Sequence, residues 1–465
     1  MAEGTLLSDK AAIAQVKKLY DYREAELEKL DMVRRYWKGR QALPAVIPTG
    51  TPGEVRHMAR SSRVNVMPIV INSLVQSTFV EGFRGRDEED DVEVWAAWQA
   101  NRMDKRQTAI HRAAYAYGTS YTVVLPGDPE PVIRGVSPRA MTTLYGEDPD
   151  WPMWALEKAD NVGLWKLYDD VAIYYVEWDP GSARLPEFVE AKEHDLGVTP
   201  IVRYVDEEDL DEDDEPEMEG TGIVEADLPV KGQIGPLMPL QDQIDLTTFA
   251  LQIAQHYSGF RQRYIIGWVA ETEEKTVKAA ANRILAIDAP PKGPNDEGEG
   301  VEVGEFAQSE LTGFIESREA SLRHAATLSQ TPVHELIGEL VNLSAEALAA
   351  AEAGHERKVG ERKTSFGESH EQTFWLVGQI KGTEIPTDAE VRWRDTSARA
   401  FAATVDGLGK IAQMLGVPPE MLWERIPGTT KGDVEAWKTA AQSSNSFDRL
   451  TQILERQGQP ADATE

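Results

Sequence analysis

TPVHELIGELVNLSAEALAAAEAGHERKVGERKTSFGESHEQTFWLVGQI, residues 331–380, is the longest helix-competent run in the chain. Pro332 fixes its entry, because the ring locks φ and removes a donor, so a turn belongs there. Asn342 and Ser344 both suit an N-cap; Ala347 stands where a capping box needs Glu or Gln, so Ser344 caps alone. From Ala345 to Ile380 there is no proline, and Ala, Leu, Glu, Arg and Lys dominate. That composition predicts one helix roughly 50 Å long. Apolar residues mark its two ends, Ala345, Leu348 and Ala349 at the start and Phe366, Phe374, Trp375, Val377 and Ile380 at the finish. Between His355 and Ser365 the run is charged. Periodicity alone leaves two readings of this polar waist: a solvated surface, or the middle of a helix spanning two layers of a larger assembly.

The flanks narrow the choice. Helices of about twenty residues are predicted at 237–260 and 309–328, the second with Leu311, Phe314, Ile315, Leu322, Ala325 and Ala326 on one face. Between them lies a small α/β segment: strand YIIGWV, helix ETEEKTVKAAANR, strand ILAID, a PPKGPNDEGEG turn and strand VEVGEF. The second helix has to return toward the start of the first, which puts the excursion at the tip of a helical hairpin.

Upstream, Ser8 caps a helix reaching about Arg40, and Pro44, Pro48, Gly50, Pro52 and Gly53 read as an irregular connector. MPIVINSLVQSTFV predicts a buried helix ended by Gly82 and Gly85, followed by an acidic turn at 87–91 and a helix to about Asn101. RMDKRQTAIHRAAYAY predicts a helix broken at Gly118. Residues 121–204 then turn to β, with TVVL, PVIRGVS, MWALEKA, GLWKLYD, VAIYYVEW and TPIVRYV as short runs of an antiparallel sheet region. Residues 206–219 hold eleven acidic residues among fourteen and read as an exposed or disordered loop. After the long helix, AEVRWRD reads as a strand, with helices at about 397–415, 419–425 and 432–442, the beginning of a short one at 443–450, and a polar tail. The fold class is α+β.

A chain of 465 residues buries a substantial core, ordinarily as several domains. Its formal net charge of -31 sets its surface against nucleic acid and anionic membranes. With no cysteine, disulfides, thiolate metal sites and cysteine nucleophiles are excluded. The start MAEGTLLSDKAA lacks a signal-peptide pattern, and no run approaches the eighteen apolar residues of a membrane span, so a soluble, non-secreted protein is expected.

Catalytic motifs fail one by one. Gly407 to Lys410 and Gly428 to Lys431 resemble a phosphate loop, but Ile411 and Gly432 occupy its hydroxyl position. His334-Glu335, His355-Glu356 and His370-Glu371 begin a zinc-hydrolase motif, yet Gly338, Val359 and Phe374 stand where the second histidine belongs. Gly298, Gly300 and Gly304 miss the dinucleotide spacing, and no GxSxG elbow occurs. Arg261 and Arg263 beside Tyr264 are the nearest approach to a DNA-facing cluster, and equally suit the C-terminal end of a helix. No enzyme and no cofactor is expected.

Taken in order, AAYAYGTSYTVV at 113–124, HDLGVTPIVRY at 194–204, PLMPLQDQIDLTTFALQIA, TPVHELIGELVNLSAEALAAAEAGHERKV and VRWRD resemble the portal proteins of tailed double-stranded DNA bacteriophages, the type found in phages of Gram-positive and actinobacterial hosts. The resemblance covers most of the chain. It implies a ring, usually of twelve subunits, at a capsid vertex, through which DNA is packaged and ejected. It also implies the terminase large subunit, head-completion proteins, major capsid protein and scaffolding protein as partners. Carried onto this chain it makes 1–234 a wing, 235–260 and 309–328 stem helices, 261–308 a clip, 329–343 a tunnel loop, 344–396 the long helix and a returning wing strand, 397–445 a crown and 446–465 a tail.

Within the tunnel loop, Thr331, Pro332, His334, Glu335, Glu339, Asn342 and Ser344 are the expected channel residues. Between Thr331 and Glu352 there is no Lys or Arg, a wall suited to passing DNA without holding it; equally, its acids face neighbouring subunits. Arg357, Lys358, Arg362 and Lys363 of the waist are expected to meet acidic residues of the next subunit. An acidic cytosolic hydrolase and another oligomeric virion connector or scaffold are the competing readings.

Overall fold

The computed structural model describes residues 6–42, 50–85, 92–159, 163–207, 232–258, 263–266, 284–287, 302–305, 311–338, 345–394, 396, 401–426, 429, 432–434 and 436–441. The expected helix at 271–283, the acidic residues 87–91 and 208–219, and the last helix and tail lie outside them. Two compact units emerge, one of residues 1–341 and 354–393, the other of 342–353 and 394–465.

In the first unit, α1 (Asp9–Trp37) opens at Ser8, whose hydroxyl accepts the Ala11 N–H. Its buried residues Ala12, Val16, Leu19 and Arg23 recur at helical spacing. The first three lie on a five-stranded antiparallel meander of β4 (Met141–Tyr145), β5 (Pro152–Lys158), β6 (Leu164–Tyr168), β7 (Ala172–Glu177) and β8 (Glu187–Glu193), against Leu156, Trp165, Leu167 and Tyr174. A second sheet, ordered β3-β2-β9 from β3 (Val132–Val136), β2 (Thr119–Leu125) and β9 (Ile201–Val205), carries the main core. The single sheet region expected from sequence is thus two, and β4 and β8 escaped notice. β8 is almost wholly exposed and carries Glu187, Glu190, Lys192 and Glu193, as suits an edge that must not pair further.

Of the helices α2 (Gly53–Ser61), α3 (Met67–Ser77), α4 (Val92–Ala100) and α5 (Met103–Tyr117), the last three contribute buried residues to the main core. α2 occupies a stretch that the sequence reading left between the connector and the next helix. α3 stops earlier than expected, and Val80–Arg84 is strand β1, paired antiparallel with β13 (Glu390–Trp393). The reason is Gln107 on α5, whose side-chain amide takes the Val80 N–H at 2.8 Å and gives its own N–H to the Val80 carbonyl at 2.9 Å. A helix through Val80 would leave that buried amide unmatched.

α6 (Met238–Ser258) and α7 (Thr312–Ser329) pack together and bracket a three-stranded sheet in which β10 (Arg263–Ile266) lies between β11 (Ile284–Ile287), parallel, and β12 (Glu302–Glu305), antiparallel. After α7 come the short α8 (Val333–Ile337) and the long α9 (Ala345–Lys381). Inside α9, Phe366, Phe374, Leu376 and Val377 are fully buried. Ser365 and Ser369, one turn apart, donate to the Val205 and Arg203 carbonyls at 3.0 and 2.8 Å, so the helix satisfies the free edge of β9 with side chains.

Gly378 explains itself by close approach. A Cβ there would lie 2.6 Å from Ile385 Cγ1 and 2.8 Å from the Thr383 carbonyl oxygen. Gly378→Ala is therefore expected to cost about 1–3 kcal/mol by overpacking, outweighing the roughly 1 kcal/mol that alanine gains in helix propensity. Chemical denaturation checks this; a stabilised variant would refute it.

In the second unit, α10 (Phe401–Leu415) is followed by 3-10 turns at Pro419–Met421 and Trp423–Arg425, where the sequence suggested a helix. Pro418 and Pro419 stand at the entry of the first turn, where a missing N–H costs nothing. Trp423 meets Trp437 edge-on at 6.1 Å.

Candidate functional site

α7 ends in a turn that launches the segment expected to line a channel. Gln330 takes a left-handed conformation at φ 54, the Thr331 N–H returns to the Ala326 carbonyl at 3.0 Å, and the Gln330 N–H to the Thr327 carbonyl at 3.3 Å. These two bonds form a Schellman motif closing the last turn, built without the usual glycine. Ser329 donates to the Ala325 carbonyl and lies 2.9 Å from the Thr331 hydroxyl. Pro332 starts α8 and Gly338, at φ 77, ends it.

This geometry sorts the expected channel residues. Thr331 is 4 % exposed and Pro332 is buried, so both anchor the turn within the subunit. Glu335 is exposed and His334 half-buried, leaving them on the accessible side. Glu339, Asn342 and Ser344 lie outside the described residues. Arg261 does too, while Arg263 opens β10 opposite Ile284 and Glu305.

Behind the turn sits a buried ionic cluster. The Lys358 ammonium donates to the Ser329 carbonyl at 2.9 Å and to the Gln233 side-chain oxygen. Gln233 Nε2 donates to Asp206 Oδ2 at 2.6 Å, and Arg362 Nε to Asp206 Oδ1 at 3.0 Å. Arg362 also reaches the exposed Glu207 and Glu361, at 3.4 and 2.9 Å. Burial pushes the Asp206 carboxyl up to about 6, against the pull of Arg362 and the Gln233 hydrogen bond. Burial also lowers the Lys358 ammonium, with Asp206 opposing. Gln233 is held by its own N–H to the Tyr115 carbonyl, beside Gly232 at φ 83, where a Cβ would come 2.5 Å from the Gly118 nitrogen. Because Lys358 touches both Gln233, just ahead of α6, and Ser329, the last residue of α7, the two helices run antiparallel.

Two expectations change here. Lys358 and Arg362, expected at acidic residues of the next subunit, are buried and bonded to groups of their own chain; Lys363 is half-buried and Arg357 exposed. Asp206, read as the first residue of an exposed acidic loop, is 1 % exposed and closes the cluster.

A second buried network stands further along α9. His111 Nδ1 lies 3.2 Å from the Thr78 carbonyl, which makes that nitrogen the donor. His111 Nε2 then accepts from His370 Nε2 at 2.8 Å, and His370 Nδ1 accepts from the Tyr204 hydroxyl at 3.0 Å. Thr373 and Thr122 continue the chain at 3.0 Å each. Burial lowers His111 to about 4 and His370 well below its ordinary value, so both are neutral at pH 7. This is an uncharged core network that ties α9 to α5, β2 and β9. Among the described residues no group of His, Asp and Glu is placed to hold a metal ion.

Sequence reading missed both networks, although one signal was available. Positions 355, 358, 359, 362, 366, 370, 374 and 377 fall on a single helical stripe, so the buried face runs straight through the charged waist.

Comparison with known proteins bears on the whole chain. A family model described as phage portal protein, SPP1 Gp6-like, matches residues 16–446. Portal proteins of Mycobacterium phage L5 and Mycobacterium phage D29 are 27% and 26% identical over 399 and 409 residues, in each case 79% of this chain and 76% of the relative. Among solved structures, a chain from the neck of an empty gene transfer agent particle matches over 80% of this chain and 92% of its own length, at 14% identity and a TM-score of 0.46. A match running from residue 16 to residue 446 takes in both units and both buried networks: the chain belongs to the SPP1 Gp6-like family of phage portal proteins, structural connectors and not enzymes.

Proposed function

We propose that this portal protein closes into a ring, twelve copies in the form usual for its family, whose channel passes double-stranded DNA into the capsid and out again. In this ring α6 and α7 are the stem, the β10–β12 sheet is the clip that meets the terminase large subunit and later the head-completion proteins, and the segment from Gln330 onward faces the channel. The wing of residues 1–234 and the crown from 397 are the surfaces left for capsid and scaffolding proteins. Arg357, exposed on α9, remains for the neighbouring subunit. No described helix is long and apolar enough to cross a membrane.

The observation that carries this reading is the path of the chain: one helix out, a small sheet, one helix back, and then a capped turn that delivers α8 with Glu335 exposed. An acidic channel face repels phosphate and binds no counterion-displacing contacts, so DNA slides without being held. Lysines placed at Glu335 and Glu339 reverse that sign. Packaging with the Glu335→Lys, Glu339→Lys double variant is expected to slow several-fold or stall, most strongly at low salt where charge is least screened. Packaging at the parental rate would remove the channel assignment of this segment.

A further inference from the structure

The buried cluster behind the turn does more than neutralise charge. A single cation, Lys358, reaches the carbonyl of the last α7 residue and the side chain of Gln233, which leads into α6. The root of the α6/α7 hairpin is thereby tied to α9 at one point, immediately before the chain enters 331–338. The Ser329 carbonyl belongs to the helix end, where carbonyls lack intrahelical partners and attract cations. The Ser329 hydroxyl and Thr331 hydroxyl are both buried in the same place, so the turn has little freedom once the ammonium is seated.

We propose that Lys358 is a positioning residue for the channel segment: its ammonium latches the end of α7 and the entry to α6 onto α9, and so sets where residues 331–338 stand. The charged groups around it are Asp206 on the β9 side, Glu207 beyond it, and Arg362 and Glu361 on α9 itself. Asp206 and Arg362 pair with each other directly, which leaves Lys358 free to serve the Ser329 carbonyl. Removing Lys358 keeps the direct Asp206–Arg362 pair, withdraws one nearby positive charge from Asp206 and severs the latch.

The test is Lys358→Met, nearly isosteric and uncharged, made in the full chain and studied by hydrogen exchange of the assembled protein. The probes are the Thr331, Glu335 and Gly338 amides, which in the parent donate to the Ala326, Pro332 and His334 carbonyls. Their exchange is expected to rise by about tenfold or more, as follows from losing one charge-assisted hydrogen bond, while amides of the β4–β8 sheet and the oligomer mass stay unchanged. Less than a twofold rise at those amides, or an equal rise in the β4–β8 sheet, overturns the proposal, the latter because it reports a general loss of stability. Should the methionine variant fail to fold, Lys358→Gln is read by the same criterion. The link to DNA passage rests on the channel assignment above, and the two separate cleanly: faster loop exchange with unaltered packaging upholds the latch and overturns the channel role of 331–338.

Discussion

Arg362→Met is expected to lower folding stability by about 3–5 kcal/mol at pH 7.5, the cost of leaving one partner of a buried ion pair unmatched. Arg362 and Asp206 have side chains 5 % and 1 % exposed, and Arg362 Nε stands 3.0 Å from the carboxylate. Already in the parent, burial holds the Asp206 carboxyl up at about 6 despite the guanidinium. Without the guanidinium it rises further. A carboxyl whose folded value is raised above its unfolded one contributes stability below the unfolded value and loses it as pH climbs through the folded one. The deficit of the variant is therefore largest at pH 7.5 and narrows at pH 5.5, where Asp206 takes up a proton. Asp206→Leu with Arg362→Met removes both charges and recovers most of the loss, because a buried pair gains little net over apolar packing. Urea unfolding at the two pH values measures this; a deficit under about 1 kcal/mol, or one independent of pH, contradicts it.

Phe374→Ala is the second large effect, about 3–5 kcal/mol from lost burial and the cavity left behind. Phe374 is fully buried, stacks on Phe83 of β1 with centroids 4.4 Å apart, and meets Trp98 of α4 at 5.3 Å. β1 and α4, consecutive in the chain, both meet that ring of the distant α9. Phe374→Leu, which keeps most of the apolar volume, is expected to lose less than half as much. Equal losses for the two variants would show that the stacking geometry, and not the volume, is what the core requires.

Helices governed by local rules were legible before any packing was known. Ser8 capped α1 as expected, Gly118 ended α5 at φ 88, and the proline-free run from Ala345 became a helix of 37 residues. Elements decided by tertiary contacts were harder to see. Val80 reads as the end of an apolar helix until Gln107 and β13 claim it for a strand. The waist of α9 misled for the opposite reason: Lys358 and Arg362 look solvent-bound by type, and partners distant in sequence, Asp206, Gln233 and the Ser329 carbonyl, make their burial tolerable. Likewise His370 looked like half of a failed metal motif and is instead half of an uncharged pair with His111. Of the expected channel residues, charge and exposure single out Glu335, while Thr331 turned inward because its position after the Schellman turn places its hydroxyl against Ser329.

Single-particle imaging of the purified full chain, with its mass measured alongside, tests the ring most directly. Twelve copies of 51.6 kDa give a particle of about 0.6 MDa, expected as a closed ring with a central channel and residues 331–338 at its wall. A stable 51.6 kDa monomer, or a closed particle whose channel is lined by other segments, would contradict it.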